Sequence, residues 1–300
     1  MANYLTIDVG GTNIKYAIMD EAGQIYENGK ADTPSASLDK FWTVIFKIID
    51  NYQSDDLKGV AFSVPGKVDT STGTVYFGGA LTYLDGVCFK QVIGEKYGLA
   101  VGVQNDAKAA ALAELWLGSL QSCEDAAVIV LGTGVGGGVI LDGKLRLGPH
   151  FQAGELSLSV LDASQSGLDK MTGMLGSAVN MIKNVNKALG HSKLTDGLIA
   201  FEAINAKNEK AFPIFQDYCR HVAYLILNLQ AFFDLTTYAI GGGISAQPII
   251  LEEIRNQYQD FVSSNPVLKM NFPNITILPA AFRNDANLFG ALYTLLYLTN

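Results

Sequence analysis

The chain has 300 residues, with 21 Lys+Arg against 29 Asp+Glu and a net charge of −8. That balance argues against a general nucleic-acid or anionic-membrane binder, since both need clustered positive charge. With 49% hydrophobic and 17% charged residues the chain is not disordered, and its length predicts two domains.

The elements follow in chain order. Tyr4 to Val9 is an apolar, β-branched run and predicts a strand. Gly10-Gly11 break it, Ile14 to Met19 resume it, and Gly23 turns the chain toward Gln24-Ile25-Tyr26. Leu38, Phe41, Trp42, Ile45, Ile48, Ile49 and Tyr52 recur at helical spacing, so residues 38–52 form an amphipathic helix. Leu57 to Val64 is a strand ending at Pro65-Gly66. Ala100 to Gln104 is another, running through Asn105-Asp106 into an alanine-rich helix that Gly118 stops.

The second half restarts this pattern. Ala126 to Leu131 is a strand, Gly132-Thr133-Gly134 break it, and Gly138 to Leu141 resume it. Both halves read strand, glycine-and-threonine corner, strand, turn, which implies duplication of a whole domain. Residues 145–175 read as loop with short helical pieces, and 175–235 as mostly helical. Thr237 to Ile240 is a strand ending in three glycines, Ile275 to Leu278 a last strand, and Ala286 to Leu298 a last helix with Asp285 as its cap. Val222 to Phe233, the most apolar stretch, is too short for a membrane span. The start breaks into glycines too early for a signal peptide. Cys88, Cys123 and Cys219 show no CxxC spacing, which fits a reducing, cytoplasmic setting.

Three glycine corners carry the chemistry: Asp8 to Thr12, Gly132 to Gly138, and Gly241 to Ser245. Glycine lets a backbone approach a ligand and aim consecutive N–H groups at an anion. One corner alone is equally well a hairpin or bulge. Three, each ending a strand, point to phosphate binding. Gly132, Gly134 and Gly137 also satisfy G-x-G-x-x-G, but a strand rather than a helix follows, so dinucleotide binding is rejected. Asp8 reads as a Mg²⁺ or water ligand or as a turn cap. Asp106 reads as a base or as a helix N-cap. His150, His191 and His221 are scattered and have no metal spacing.

Together, Asp8-Val9-Gly10-Gly11-Thr12, Ser63 to Asp69, Gln104-Asn105-Asp106-Ala107, Leu131 to Gly138, Ala153-Gly154-Glu155, and Phe233-Asp234 leading to Ile240–Ser245 resemble the ROK family (repressor, open reading frame, kinase). The resemblance implies an α/β chain with the actin-like, hexokinase-like (ribonuclease H-like) ATPase fold, two duplicated domains around a central cleft. The boundaries expected are 1–116 and 117–285, with the helix 286–300 packing back on the first. It implies an ATP-dependent sugar kinase, with Mg²⁺ oriented near Asp8 and the 6-hydroxyl of a hexose as acceptor. Asp8, Gly10, Gly11, Thr12, Asn13 and Lys15 look like the first phosphate corner. Gly132, Thr133, Gly134, Gly136 and Gly137 look like the second, and Gly241, Gly242 and Gly243 like the adenosine-side corner. Asp106 resembles the catalytic base. Pro65, Gly66, Asn105 and Glu155 resemble sugar-pocket residues, and Asp169 stands where relatives use a Glu.

Two departures qualify this expectation. Leu158 occupies a position where relatives carry a sugar-contacting His, and residues 160–175 contain none of the cysteines of the family's zinc loop, so no zinc is expected. Asn13 replaces a common Lys, but Lys15 shares its face of an alternating strand. The partner expected is a small sugar: glucose, N-acetylmannosamine, fructose or a β-glucoside. The family also implies a homodimer. The repressor subclass carries a DNA-binding domain ahead of the first corner, where seven residues stand here. The main alternative is a non-catalytic sugar- or nucleotide-binding regulator of the same fold.

Overall fold

The structure is a computed structural model describing residues 3–299. It divides into two compact units. The first holds the described residues up to Leu117, then Leu147–Ala153 and the segment from Asp285 onward; the second holds Gly118–Arg146 and Gly154–Asn284.

In unit 1 the strands are β1 (Asn3–Val9), β2 (Asn13–Met19), β3 (Ile25–Asp32), β4 (Leu57–Val64) and β7 (Ala100–Asn105), with a separate hairpin of β5 (Lys67–Asp69) and β6 (Thr74–Tyr76). The helices are α1 (Leu38–Tyr52), α2 (Phe89–Tyr97) and α3 (Asp106–Trp116). The sheet order is β3-β2-β1-β4-β7. β1 runs antiparallel to β2 and parallel to β4, and β4 runs parallel to β7. β4 is buried from Gly59 to Val64, as a central strand covered on both faces must be. Ser37 caps α1 by accepting from the Lys40 N–H. Phe41, Trp42, Ile45, Ile48 and Ile49 of that helix then close the core over Leu5, Ile7, Val60 and Phe62.

Unit 2 contains β8 (Ala126–Leu131), β9 (Val135–Leu141), β10 (Lys144–Leu145), α4 (Thr172–Leu175), α5 (Ala178–Ala188), α6 (Gly197–Asn205), α7 (Phe212–Phe233), β11 (Thr237–Gly241), α8 (Pro248–Ser263), α9 (Pro266–Asn271) and β12 (Thr276–Pro279). Its sheet order is β10-β9-β8-β11-β12. The pairing directions repeat those of unit 1 position by position. The duplication expected from the glycine-and-threonine corners is therefore present in the topology. α7 contributes more to the core than any other element of unit 2, through residues such as Phe215, Cys219, Val222, Ala223 and Ile226.

The chain returns to unit 1 in α10 (Ala286–Tyr293), which continues as a π-helical turn, Thr294–Leu298. α10 packs closely on α3 because Gly290 has no side chain: a Cβ there would overlap the Ala109 backbone. Among the described residues no helix is long and apolar enough to cross a membrane.

Four local readings need correction. Asp285 does not cap α10 through its side chain; its carboxylate faces Lys15 Nζ at 3.7 Å. The last helix is not one regular α-helix, since it widens at Thr294. The second glycine run is not all corner: the strand expected from Gly138 starts earlier, so that Gly136 and Gly137 also lie in β9, paired with Val130 and Ile129. α2, α8, α9 and the β5–β6 hairpin were not expected. α2 runs unbroken through Gly94, a poor helix former that weakens its signal in sequence, whereas the spacing of Ile250, Ile254, Tyr258 and Val262 carries a legible helical signal for α8.

Candidate active site

In unit 1 the site residues gather at the carboxyl ends of three adjacent parallel strands, β1, β4 and β7, where open α/β sheets place ligands. Register does this work. Asp8 lies beside Ser63, Ser63 beside Gln104, and Val64 beside Asn105.

Asp8 is not a turn cap. Its Oδ1 accepts from Ser63 Oγ at 2.9 Å and from Asn287 Nδ2 at 3.0 Å. Burial pushes its carboxyl above the usual range, while the Asn287 and Ser63 hydrogen bonds and the Lys15 charge pull it down and Asp285 adds to the rise. Gly10 closes the first corner by donating its N–H to Asn13 O at 2.9 Å, and its own carbonyl accepts from Thr33 Oγ1 at 2.7 Å. Gly11 and Thr12 are exposed at the tip. Asn13 and Lys15 follow on β2 with one residue between them.

Asn105, not Asp106, caps α3. Its Oδ1 accepts from the Lys108 N–H at 3.1 Å, while its Nδ2 donates to Gly66 O and to Asp106 Oδ1, both at 2.9 Å. Asp106 Oδ1 also accepts the Ala107 N–H at 2.7 Å. A half-buried carboxylate is thus held by two donors at a helix start. Gly66 has φ +94°, and a Cβ there would lie 2.7 Å from Tyr76 O and from Gly78 N. Pro65-Gly66 is therefore locked against the segment after β6.

In unit 2 the second and third corners end the neighbouring parallel strands β8 and β11. Gly132 closes its turn by donating to Gly134 O at 3.0 Å. Ser177, the N-cap of α5, donates from Oγ to Thr133 O at 2.6 Å. Among the described residues the N–H groups of Gly11, Thr12, Thr133 and Gly134 donate to no protein acceptor. Gly137 faces packing instead: a Cβ there would overlap Leu156 and Val128 O. Gly241 ends β11, and Gly242 has φ +92°, with Leu131 O where a Cβ would sit; Gly243 is open. Glu155 follows Gly154, whose φ of +77° lets the loop lie on Gly138 of β9. Leu158 is exposed. Asp169 lines a cavity of about 410 Å³ together with Met174, Ser177, Tyr218 and His221, and Ser177 is the residue that holds Thr133 of the second corner. Among the described residues no group of three His, Cys, Asp or Glu could hold a metal.

Sequence reasoning missed Asn287 and Thr33 as supports of the first corner and Ser177 as the support of the second. None carries a local signal, because each acts through the fold.

The ROK family profile matches residues 4–297. A β-glucoside kinase from Listeria monocytogenes is 28% identical over 292 residues, 95% of each chain. A solved ROK family protein from Streptococcus pneumoniae, in complex with sucrose, is 30% identical with a TM-score of 0.87, covering 98% of both chains. A putative N-acetylmannosamine kinase from Listeria monocytogenes is 26% identical with a TM-score of 0.88, covering 99% of this chain and 100% of that one.

Proposed function

Because the chain belongs to the ROK family, has the actin-like ATPase fold and is a carbohydrate kinase, we propose that it transfers the γ-phosphoryl group of ATP to the 6-hydroxyl of a glucose unit, with Asp106 as general base. The observation that carries this is the Asn105–Asp106 pair. Asn105 Nδ2 and the Ala107 N–H fix the orientation of the Asp106 carboxylate, and a fixed carboxylate is what accepting a hydroxyl proton needs. Gly66 and Asn105, joined by a hydrogen bond, line the sugar side. Glu155 accepts from sugar hydroxyls. The N–H groups of Gly11, Thr12, Thr133 and Gly134 bind phosphate oxygens, and Gly242-Gly243 pass the adenosine. Phosphoryl transfer asks mainly for such positioning and charge stabilisation.

Asp8 fits a Mg²⁺ role. Both its hydrogen bonds engage Oδ1, and Mg²⁺ in kinase sites takes one or two carboxylates, with water and phosphate completing its shell. When bound, Mg²⁺ neutralises charge on the transferred phosphate. The hydrogen bonds from Ser63 and Asn287 favour the ionised form of Asp8 against the effect of its burial.

The test is a coupled ATP-to-ADP assay over glucose, N-acetylmannosamine, fructose and β-glucosides with Mg²⁺ and EDTA arms, followed by NMR of the product. A 6-phosphate on a glucose unit supports the reading. A different phosphorylated position, or turnover with N-acetylmannosamine alone, overturns it.

A further inference from the structure

Three residues beside the Pro65-Gly66 turn have no part in the reading above. Phe77 is 72% exposed and sits at φ +64°. A bulky aromatic side chain in the left-handed region is a costly choice, and such choices collect at ligand sites. The conformation is built in: Asp85 Oδ1 accepts the Phe77 N–H at 2.9 Å. Lys67 Nζ lies 5.8 Å from the Phe77 ring centroid and 5.1 Å from that of Tyr76, its cross-strand partner. One ammonium thus joins two aromatic rings.

The same segment touches the site residues. Gly66 packs against Tyr76 O and Gly78 N. A Cβ on Gly79 would lie 3.1 Å from Pro65 Cβ, and one on Gly11 would lie 3.6 Å from Ala80 Cβ. Asn105 Nδ2 reaches Gly66 O from the other side. The aromatic pair therefore sits one packing contact from the residues assigned to the sugar.

We propose that Phe77, with Tyr76 and Lys67, forms a subsite for the second ring of a β-linked glucoside, so that the acceptor is a disaccharide or aryl glucoside rather than free glucose. An exposed aromatic face suits the apolar face of a pyranose or phenyl ring. The ammonium beside it offers donors to ring hydroxyls. This inference rests on the site reading above, which places the phosphorylated glucose unit at Gly66 and Asn105.

The test compares wild type, Phe77→Ala, Phe77→Asn and Phe77→Trp on cellobiose, salicin and glucose. Asn is at home in the left-handed region, so it removes the ring without adding backbone strain. The ratio of kcat/KM for glucoside over glucose is expected to fall at least about tenfold in both ring-deleted variants, the scale of one well-placed ring contact. Phe77→Trp is expected to hold the wild-type ratio. Calorimetric Kd values for cellobiose and glucose give the same comparison without turnover. A wild type that turns over no sugar yet binds cellobiose through Phe77 sinks the kinase reading and keeps the subsite. A ratio that stays within twofold, in kinetics and in binding, or a wild type that prefers glucose, overturns the subsite.

Discussion

Asn287 on α10 donates from Nδ2 to Oδ1 of Asp8 on β1 at 3.0 Å, across 279 residues of chain. A residue near one end of the sequence thus bears on the proton affinity of a residue near the other. Ser63 on the adjacent strand supplies the second donor. Together they oppose the rise that burial imposes on this carboxyl.

This has a consequence for stability. The native Asp8 carboxyl lies above its unfolded value, so the native state binds the proton more tightly. The resulting stabilisation is present at low pH and is lost as pH rises through the native value. Above that native value the ionised Asp8 costs stability. Asp8→Asn is therefore expected to raise the melting temperature at neutral pH while lowering Mg²⁺-dependent turnover. The gain shrinks toward about pH 4, the ordinary carboxylate range. Melting curves across pH check this; a loss of stability at neutral pH contradicts it.

Asn287→Leu removes the donor without touching the carboxylate. Asp8 then loses the strongest influence holding it down, so the acidic limb of the kcat/KM–pH profile moves to higher pH. A profile superimposable on wild type would show that Asn287 does not tune Asp8.

Glycine at position 66 is demanded twice, by φ and by space. Gly86 offers the control, since its φ is +76° but nothing lies within 4 Å of a Cβ there. Gly86→Ala is expected to cost about 1–2 kcal/mol, the left-handed penalty alone. Gly66→Ala is expected to cost clearly more, because the added methyl meets backbone atoms at 2.7 Å. Chemical denaturation of the two variants ranks them; equal costs would mean that the loop yields freely.

The cysteines should separate by burial. Cys219 is fully buried in α7, which pushes its thiol well above the usual range, whereas Cys88 and Cys123 are partly exposed. A disulfide reagent at mild alkaline pH is expected to titrate two thiols in the native protein and the third only on unfolding. Three thiols reacting in one native phase would contradict the packing of α7.

Much of this was legible in the sequence, for reasons that can be named. Strand–glycine–strand runs at Asp8–Thr12 and Leu131–Gly134 announce corners because chain reversal and phosphate approach both need small residues. The family resemblance then located Asn105 and Asp106. Contacts that depend on strand register or on the returning C-terminal helix were illegible. Nothing near Asn287 says that it will meet Asp8, and nothing near Ser177 says that it will hold Thr133. The run Gly136-Gly137-Gly138 shows the converse. Its glycines looked like phosphate binders, but Gly137 is explained by the close packing of Leu156 on β9. Asp169 was placed by analogy across a loop lacking the family's cysteines, and it lines a cavity of unit 2 that also takes in Ser177, the support of the second corner.

The central claim is that the Asp106 carboxylate takes the hydroxyl proton. The direct measurement is kcat for wild type and Asp106→Asn with the preferred sugar at saturating Mg²⁺-ATP, alongside sugar binding and circular dichroism. Asn keeps the size and the Oδ1 acceptor that meets the Ala107 N–H. The account predicts an unchanged fold, retained sugar binding, and a fall in kcat of at least about 10²-fold, the scale of a general base. Turnover within a few-fold of wild type would contradict it.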